Sequence, residues 1–203
     1  MTARLRQHSL WGAVLLFLLL VLPPVKHALE ATMTTQMLVQ IPLLACVGAL
    51  LREALPAGTL GFTASWDYRG ITGLVLASIA AAFWLLPRLL DASVTEPAIA
   101  AAKYLSVPLL IGLPFSVSWP RMSFIVRGVV LLELTATLFR MGWLYLIWPD
   151  RLCNRYLLDD QQRLGEYLVL IGGLVCALVV STLLWGRFDL LPEIRQANAP
   201  SER

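Results

Sequence analysis

Six apolar stretches, each long enough to cross a lipid bilayer, fill most of this 203-residue chain. The hydrocarbon core of a bilayer is about 30 Å thick, and about 20 mostly apolar residues of helix cross it. A mean hydropathy of +0.73 agrees with a chain whose main solvent is lipid. The sequence therefore predicts an all-α, polytopic membrane helix bundle with six transmembrane helices. We expect them at about 9–25, 29–51, 71–90, 98–119, 123–148 and 167–185.

The distribution of Lys and Arg predicts the orientation of this single integral-membrane domain, residues 1–203. With the N-terminus in the cytoplasm, nine Lys and Arg residues fall on the cytoplasmic side and six on the outer side. Cytoplasmic loops carry the positive excess, so we expect both termini, including a polar tail at 186–203, to be cytoplasmic. We expect a multi-pass protein of a bacterial-type inner (plasma) membrane. No Lys/Arg-rich run indicates a nucleic-acid partner.

The first apolar segment has two readings, a retained anchor and a cleaved signal peptide. A signal peptidase site needs small residues at positions −3 and −1. Cleavage after Ala28 would put Lys26 at −3. Cleavage after Ala31 would put Leu29 there. Because neither site fits, we expect the segment to be retained; five spans would follow if it were removed.

Two segments contain residues that shape helix packing. The third carries small residues at every fourth position, Gly73, Ala77 and Ala81. Such a stripe lets a neighbouring helix approach closely in a membrane. The fourth holds Pro108 and Pro114, which predict a kinked or broken helix.

A candidate metal site lies at the polar start of the second segment. On a helix, a single face would hold His27, Glu30, Met33 or Thr34, Met37 and Gln40. Imidazole and thioether donors suit copper, particularly Cu(I). The competing interpretation is a methionine-filled helix contact below a wet interface. The metal hypothesis names His27, Met33 and Met37 as ligands, with Cys153 as a possible fourth from a loop on the same side.

A candidate polar interior involves charged residues of the fifth segment. A charge at bilayer depth is costly, so it normally faces the bundle interior and has a partner. Glu133 and Arg140 are about 10 Å apart along a helix axis and would pair only if both side chains stretched. We expect both to face inward, with Gln36 or Gln40 as partners for Glu133. The functional interpretation is a proton or ion path, or a buried ligand site; the alternative is a structural clamp.

The loop from Cys153 to Gln161 is the third candidate. A short surface helix is one interpretation, and Arg151 and Arg155 favour a reactive Cys153 thiol. A docking surface and an ordinary solvated loop are the others.

Enzyme signatures are absent from the sequence. It has no H-E-x-x-H, P-loop, G-x-S-x-G or dinucleotide glycine motif. Its two histidines, His8 and His27, are too few for a metal cage made of histidines alone. We therefore expect a protein that is not an enzyme.

The start of the second segment, Leu29-Glu30-Ala31-Thr32-Met33-Thr34-Thr35-Gln36-Met37-Leu38-Val39-Gln40-Ile41-Pro42-Leu43-Leu44, resembles the histidine- and methionine-bearing helix of CtaG-like membrane proteins. Those proteins are linked to cytochrome c oxidase assembly and copper delivery. The family pattern has histidines around the methionine, whereas here Gln36 precedes Met37. The resemblance covers about sixteen residues. It implies a non-enzymatic accessory or assembly factor for a respiratory complex, with an oxidase subunit as partner and copper as its cofactor.

A small membrane transporter or channel is the rival function. Its support comes from Glu133 and Arg140 and from the prolines of the fourth segment, since discontinuous helices form many transport sites. No inverted repeat between the two halves of the chain is visible in the sequence.

Overall fold

The computed structural model describes residues 3–56, 58–59, 67–149 and 156–185, and all regular structure in these ranges is helical. The all-α prediction is thereby confirmed. We number the main helices α1 (Ala3–Val21), α2 (Pro23–Leu29), α3 (Met33–Ala54), α4 (Ile71–Trp84), α5 (Pro87–Thr95), α6 (Pro97–Arg121), α7 (Phe124–Ile147) and α8 (Leu158–Trp185).

Three to five of the helical units are candidate membrane spans, compared with the six predicted. Helices α3, α6 and α8 are each long and apolar enough to cross a bilayer. The pair α1 and α2, bent by 72°, and the pair α4 and α5, bent by 69°, raise the number to five if each pair is one span. Helix α7 has 24 residues but carries three charged side chains, and it is not among these candidates.

The predicted second helix is interrupted near its start. Helix α2 ends at Leu29, and α3 begins at Met33. Thr32 has an extended backbone, and its hydroxyl accepts a hydrogen bond from the Thr35 amide at 3.2 Å. A threonine in this position satisfies an orphan amide and starts a new helix. The expectation of one helical face from His27 to Gln40 was therefore wrong.

Prolines explain two further differences from the predicted helices. Leu86, before Pro87, is extended, as residues before proline prefer, and the predicted 71–90 helix bends there. Helix α6 instead continues past Pro108 and Pro114. A π-helical turn at Val107–Gly112 accommodates the missing hydrogen bonds, so the predicted kink becomes a local widening.

Helix α8 begins nine residues earlier than the predicted 167. Asp159 and Asp160 lie in its first turn, where negative charge favours the positive end of the helix dipole. The side chains of Gln161 and Leu164 are buried. Charged residues that the sequence assigned to a loop are therefore the first turns of a packed helix, and the loop prediction from 158 onward was wrong.

The long helices alternate in direction along the chain. The start of α1 meets the end of α3, where the Ser9 hydroxyl donates to the Leu50 carbonyl at 2.7 Å. The end of α4 meets the first half of α6, where Trp84 Nε1 donates to Ser106 at 2.8 Å. Helix α7 lies antiparallel to α8, with Gly142 against Gly165.

Two glycines allow α3 and α6 to touch backbone to backbone. A Cβ added to Gly48 would lie 2.0 Å from the Pro108 carbonyl oxygen, and one added to Gly112 would lie 2.0 Å from that of Ala45. The predicted small-residue stripe also meets α6, since a Cβ on Gly73 would lie 2.1 Å from Ser118 Oγ. Helix α6 therefore packs closely against both α3 and α4, and this packing fixes the position of its polar residues.

Candidate functional site

Four polar side chains meet inside the bundle at the contact between α3 and α6. We call Glu30, Gln40, Lys103 and Tyr104 the polar centre. Gln40 and Lys103 have no exposed surface, and the side chains of Glu30 and Tyr104 are also buried. Lys103 Nζ donates to Glu30 Oε1 at 2.9 Å and to Gln40 Oε1 at 3.0 Å. Gln40 Nε2 donates to the Tyr104 hydroxyl at 2.8 Å, and that hydroxyl donates to the Leu20 carbonyl at 3.2 Å.

The local backbone explains how the four side chains converge. Gln40 ends a π-helical turn, Gln36–Gln40, which shifts the residues before it relative to a regular helix. Lys103 lies six residues into α6, which corresponds to about 9 Å along its axis. Glu30 lies in the break between α2 and α3, so an irregular backbone turns its carboxylate towards Lys103. The polar centre is therefore assembled by two interruptions in helical geometry.

A second polar layer supports the first through Tyr156. Its hydroxyl lies 2.9 Å from both the Glu30 carbonyl oxygen and Gln36 Oε1. Gln36 Nε2 donates to Ser93 Oγ at 3.3 Å. This layer ties the break at Glu30 to α3, to α5 and to the segment before α8.

An open cavity of about 220 Å³ lies beside the polar centre. It is at the end of the bundle where α2 and α5 end and α8 begins. Glu30 is shared between the cavity wall and the polar centre, so the cavity gives access to the buried ion pair. The lining residues are Lys26, His27, Glu30, Ala31, Val94 and Tyr156.

The structure does not bring the predicted copper ligands to one surface. His27 lines the cavity. Met33 and Met37 are buried in an apolar cluster with Leu90 and Tyr145, and the Tyr145 hydroxyl lies 3.8 Å from the Met37 sulfur. Cys153 lies outside the described residues. Within the described ranges, no three His, Cys, Asp or Glu side chains are grouped so that they could hold a metal ion.

Glu133 and Arg140 were expected to face the bundle interior, and that expectation was wrong. Their side chains are 67% and 66% exposed, and they form an ion pair with each other along the outer face of α7. Arg140 Nη2 also donates to Thr137 Oγ1 at 3.1 Å. The two residues, about 10 Å apart along the helix axis, pair directly, which is the arrangement that the sequence analysis allowed only if both side chains stretched. Gln36 and Gln40, by contrast, are buried as predicted.

Sequence reasoning missed Lys103 and Tyr104. Lys103 was counted with the positive charges on the outer side, although it lies within the apolar segment 98–119. A lysine inside a membrane segment is itself a signal of a buried partner. The partner, Glu30, was noted only as part of a predicted metal-binding face.

No protein-family model, curated protein or solved structure matches this chain significantly.

Replacing Tyr156 by Phe tests whether the second layer holds the break at Glu30. The variant removes the hydroxyl but keeps the buried ring, and it leaves the Glu30 carbonyl and Gln36 with one partner fewer. We expect the free energy of unfolding in mixed micelles to fall by about 1–3 kcal/mol. Tyr167→Phe on the exposed side of α8 is the control. Equal stability of Tyr156→Phe and wild type would contradict this role.

The exposed ion pair on α7 gives a second prediction. Either Glu133→Leu or Arg140→Leu leaves an unpaired charge among the exposed apolar side chains of α7, and we expect each single variant to be less stable than wild type. The double variant removes both charges, and we expect it to be at least as stable as wild type. The yield of membrane-inserted protein and the free energy of unfolding measure both effects. A double variant less stable than both singles would refute the exposed position.

Proposed function

We propose that α7 is a sixth membrane span, with both termini cytoplasmic in an inner membrane of bacterial type. The alternating directions of the long helices support this topology, because α7 lies antiparallel to α8 as a consecutive span would. In that orientation the cavity opens at the outer surface. A cytoplasm-active reporter fused to the C-terminus should be active, and activity of a periplasm-specific reporter there would overturn the orientation.

We further propose that the chain is a small membrane transporter whose binding site is the polar centre. The main support is the Lys103 ammonium, which is completely buried in a candidate span. It forms an ion pair with Glu30, and Glu30 lines an open cavity. Ionisable side chains inside membrane segments are rare and typically mark paths for ions or solutes. The rival function inferred from the sequence is retained, but its site moves from Glu133 and Arg140 to Glu30 and Lys103.

The surrounding backbone supports transport by a change of access. Helices interrupted at the binding site are a recurrent feature of transporters, and here Glu30 follows a helix end while two π-helical turns flank the site. The polar centre adjoins an apolar cluster through Tyr104. Its members include Leu44, Val47, Trp84 and Val107. A bound solute that competes with Glu30 for Lys103 would loosen the contact that ties the break to α6.

Measurements of electrical current across proteoliposome membranes test the transport proposal. Concentration jumps of sodium acetate, succinate and phosphate, of potassium chloride, and of protons should evoke a saturable current with at least one of these solutes. We expect Tyr104→Phe, which removes the hydroxyl between Gln40 and Leu20, to reduce that current. Glu133→Leu/Arg140→Leu should leave it unchanged. If correctly folded wild-type protein gave no current with any of these solutes, transport would be refuted.

A second candidate is an accessory role for a respiratory oxidase, and the outer face of α7 favours it. Glu133, Thr137 and Arg140 form a polar strip among exposed apolar side chains, which a helix of a partner could cover. The resemblance at 29–44 to CtaG-like proteins supports the same role. Neither proposal includes copper as a ligand, because Met33 and Met37 pack in the apolar core. Co-purification with an oxidase subunit, lost in Glu133→Leu/Arg140→Leu, is the expected result; its absence would refute this candidate.

A further inference from the structure

One ammonium group, that of Lys26, lines the cavity together with the Glu30 carboxylate, and a second, that of Lys103, lies behind that carboxylate. Lys26 Nζ and Lys103 Nζ lie 6.0 and 5.4 Å from the centre of the Tyr104 ring. Glu30 is the one acidic residue among the lining residues, and it is already paired with Lys103 at 2.9 Å. In the part of the chain that the structure describes, no carboxylate forms an ion pair with Lys26. Among these described side chains, the two ammonium groups outnumber the one carboxylate.

The donors at the cavity wall also favour an anion. An ammonium group offers three hydrogen-bond donors and no acceptor. Lys26 donates no hydrogen bond to the described residues, and its ammonium lies 6.0 Å from the centre of the Tyr104 ring. The His27 imidazole beside it offers a ring N–H. A cation entering here would meet Lys26 and find the Glu30 carboxylate already occupied by Lys103. Charge and hydrogen-bonding chemistry thus favour the same class of ligand.

The size of the cavity limits the ligand to a small molecule. An apolar cavity of about 150 Å³ holds a benzene molecule, so a volume of about 220 Å³ suits an anion of at most roughly ten non-hydrogen atoms. Inorganic phosphate and short mono- or dicarboxylates meet this limit.

We propose that the cavity binds a small oxyanion, a carboxylate or phosphate, between Lys26 and His27. This inference rests on the proposed transport function and supplies its substrate class. The anion enters from the open side, and its negative charge competes with Glu30 for the Lys103 ammonium behind it. The phosphate of a lipid headgroup shares this chemistry, and the experiment separates the two sources.

Thermal unfolding of the purified full-length protein in detergent tests the site. The probes are sodium acetate, succinate and phosphate at constant ionic strength against sodium chloride, and phosphatidylglycerol in mixed micelles. We expect at least one soluble oxyanion to raise the unfolding temperature saturably. Lys26→Gln should weaken its apparent affinity about tenfold, corresponding to about 1.4 kcal/mol. Arg88→Gln, an exposed cation on α5 outside the cavity lining, should leave the affinity unchanged.

Three results would overturn the oxyanion site. They are no stabilisation by any soluble oxyanion, equal affinities in Lys26→Gln and wild type, and stabilisation by phosphatidylglycerol alone. The measurements of electrical current in proteoliposomes distinguish a failure of the oxyanion site from a failure of the transport proposal. Saturable oxyanion binding without any current would support the site and refute transport. A current carried by protons or potassium, without oxyanion binding, would support transport and refute the oxyanion.

Discussion

Replacing Lys103 by Met is expected to lower the free energy of unfolding by about 3–5 kcal/mol, because it leaves the Glu30 carboxylate buried without its cation. The side chains of Lys103 and Glu30 are 0% and 5% exposed, so little water is in contact with the carboxylate to replace the lost interaction. Gln40 would also lose the donor at its Oε1. Equilibrium unfolding in mixed micelles measures the difference from wild type.

The double variant Glu30→Met/Lys103→Met is the control for this prediction. Removing both charges of a buried pair and filling the space with apolar atoms is often neutral or stabilising. We therefore expect the double variant to recover most of the stability that Lys103→Met loses. A single variant as stable as wild type would show that the pair is not buried as described.

The second large effect is expected at the backbone contact between α3 and α6. Gly48→Ala would put a methyl group 2.0 Å from the Pro108 carbonyl oxygen and 2.7 Å from the Leu113 nitrogen. Because these are main-chain atoms, no side-chain rotation relieves the clash. We expect a loss of about 3 kcal/mol, the upper end of typical overpacking costs, or failure to accumulate in the membrane.

Gly128→Ala on α7 is the matched control, since a Cβ there would meet nothing within 4 Å. The same substitution should stabilise that helix by about 0.5–1 kcal/mol through reduced backbone freedom. If Gly48→Ala and Gly128→Ala had equal effects on the free energy of unfolding, the close contact of α3 and α6 would be wrong.

Hydropathy predicted the helical fold well because each apolar stretch is long. It placed the cores of the helices, and the stripe at Gly73 correctly indicated a close neighbour. It could not place the breaks at Glu30 and Leu86, because a short polar or proline interruption barely changes the mean hydropathy of a window. Nor could it detect that Asp159 and Asp160 lie in the first turn of a helix, since a charged first turn has the same low hydropathy as a loop.

The polar centre was less accessible to sequence reasoning than the fold. Gln36 and Gln40 were predicted to face inward because a polar side chain exposed to lipid is costly, but the partner named for them, Glu133, was wrong. Their partners depend on how α6 lies against α3, which is set by the glycines at 48 and 112 and not by any local motif. Glu133 was placed inside on the general cost of charge in lipid, but its partner Arg140 lay on the same helix and both could remain outside.

The transport activity of Glu30→Met/Lys103→Met tests the central claim most directly. This variant separates structure from function, because it should fold and insert like wild type while lacking both charges of the polar centre. We predict that proteoliposomes containing it give no solute-dependent current above protein-free liposomes, although it keeps most of the wild-type stability. A current of wild-type size from this variant would contradict the claim, and the buried pair would then be a structural clamp.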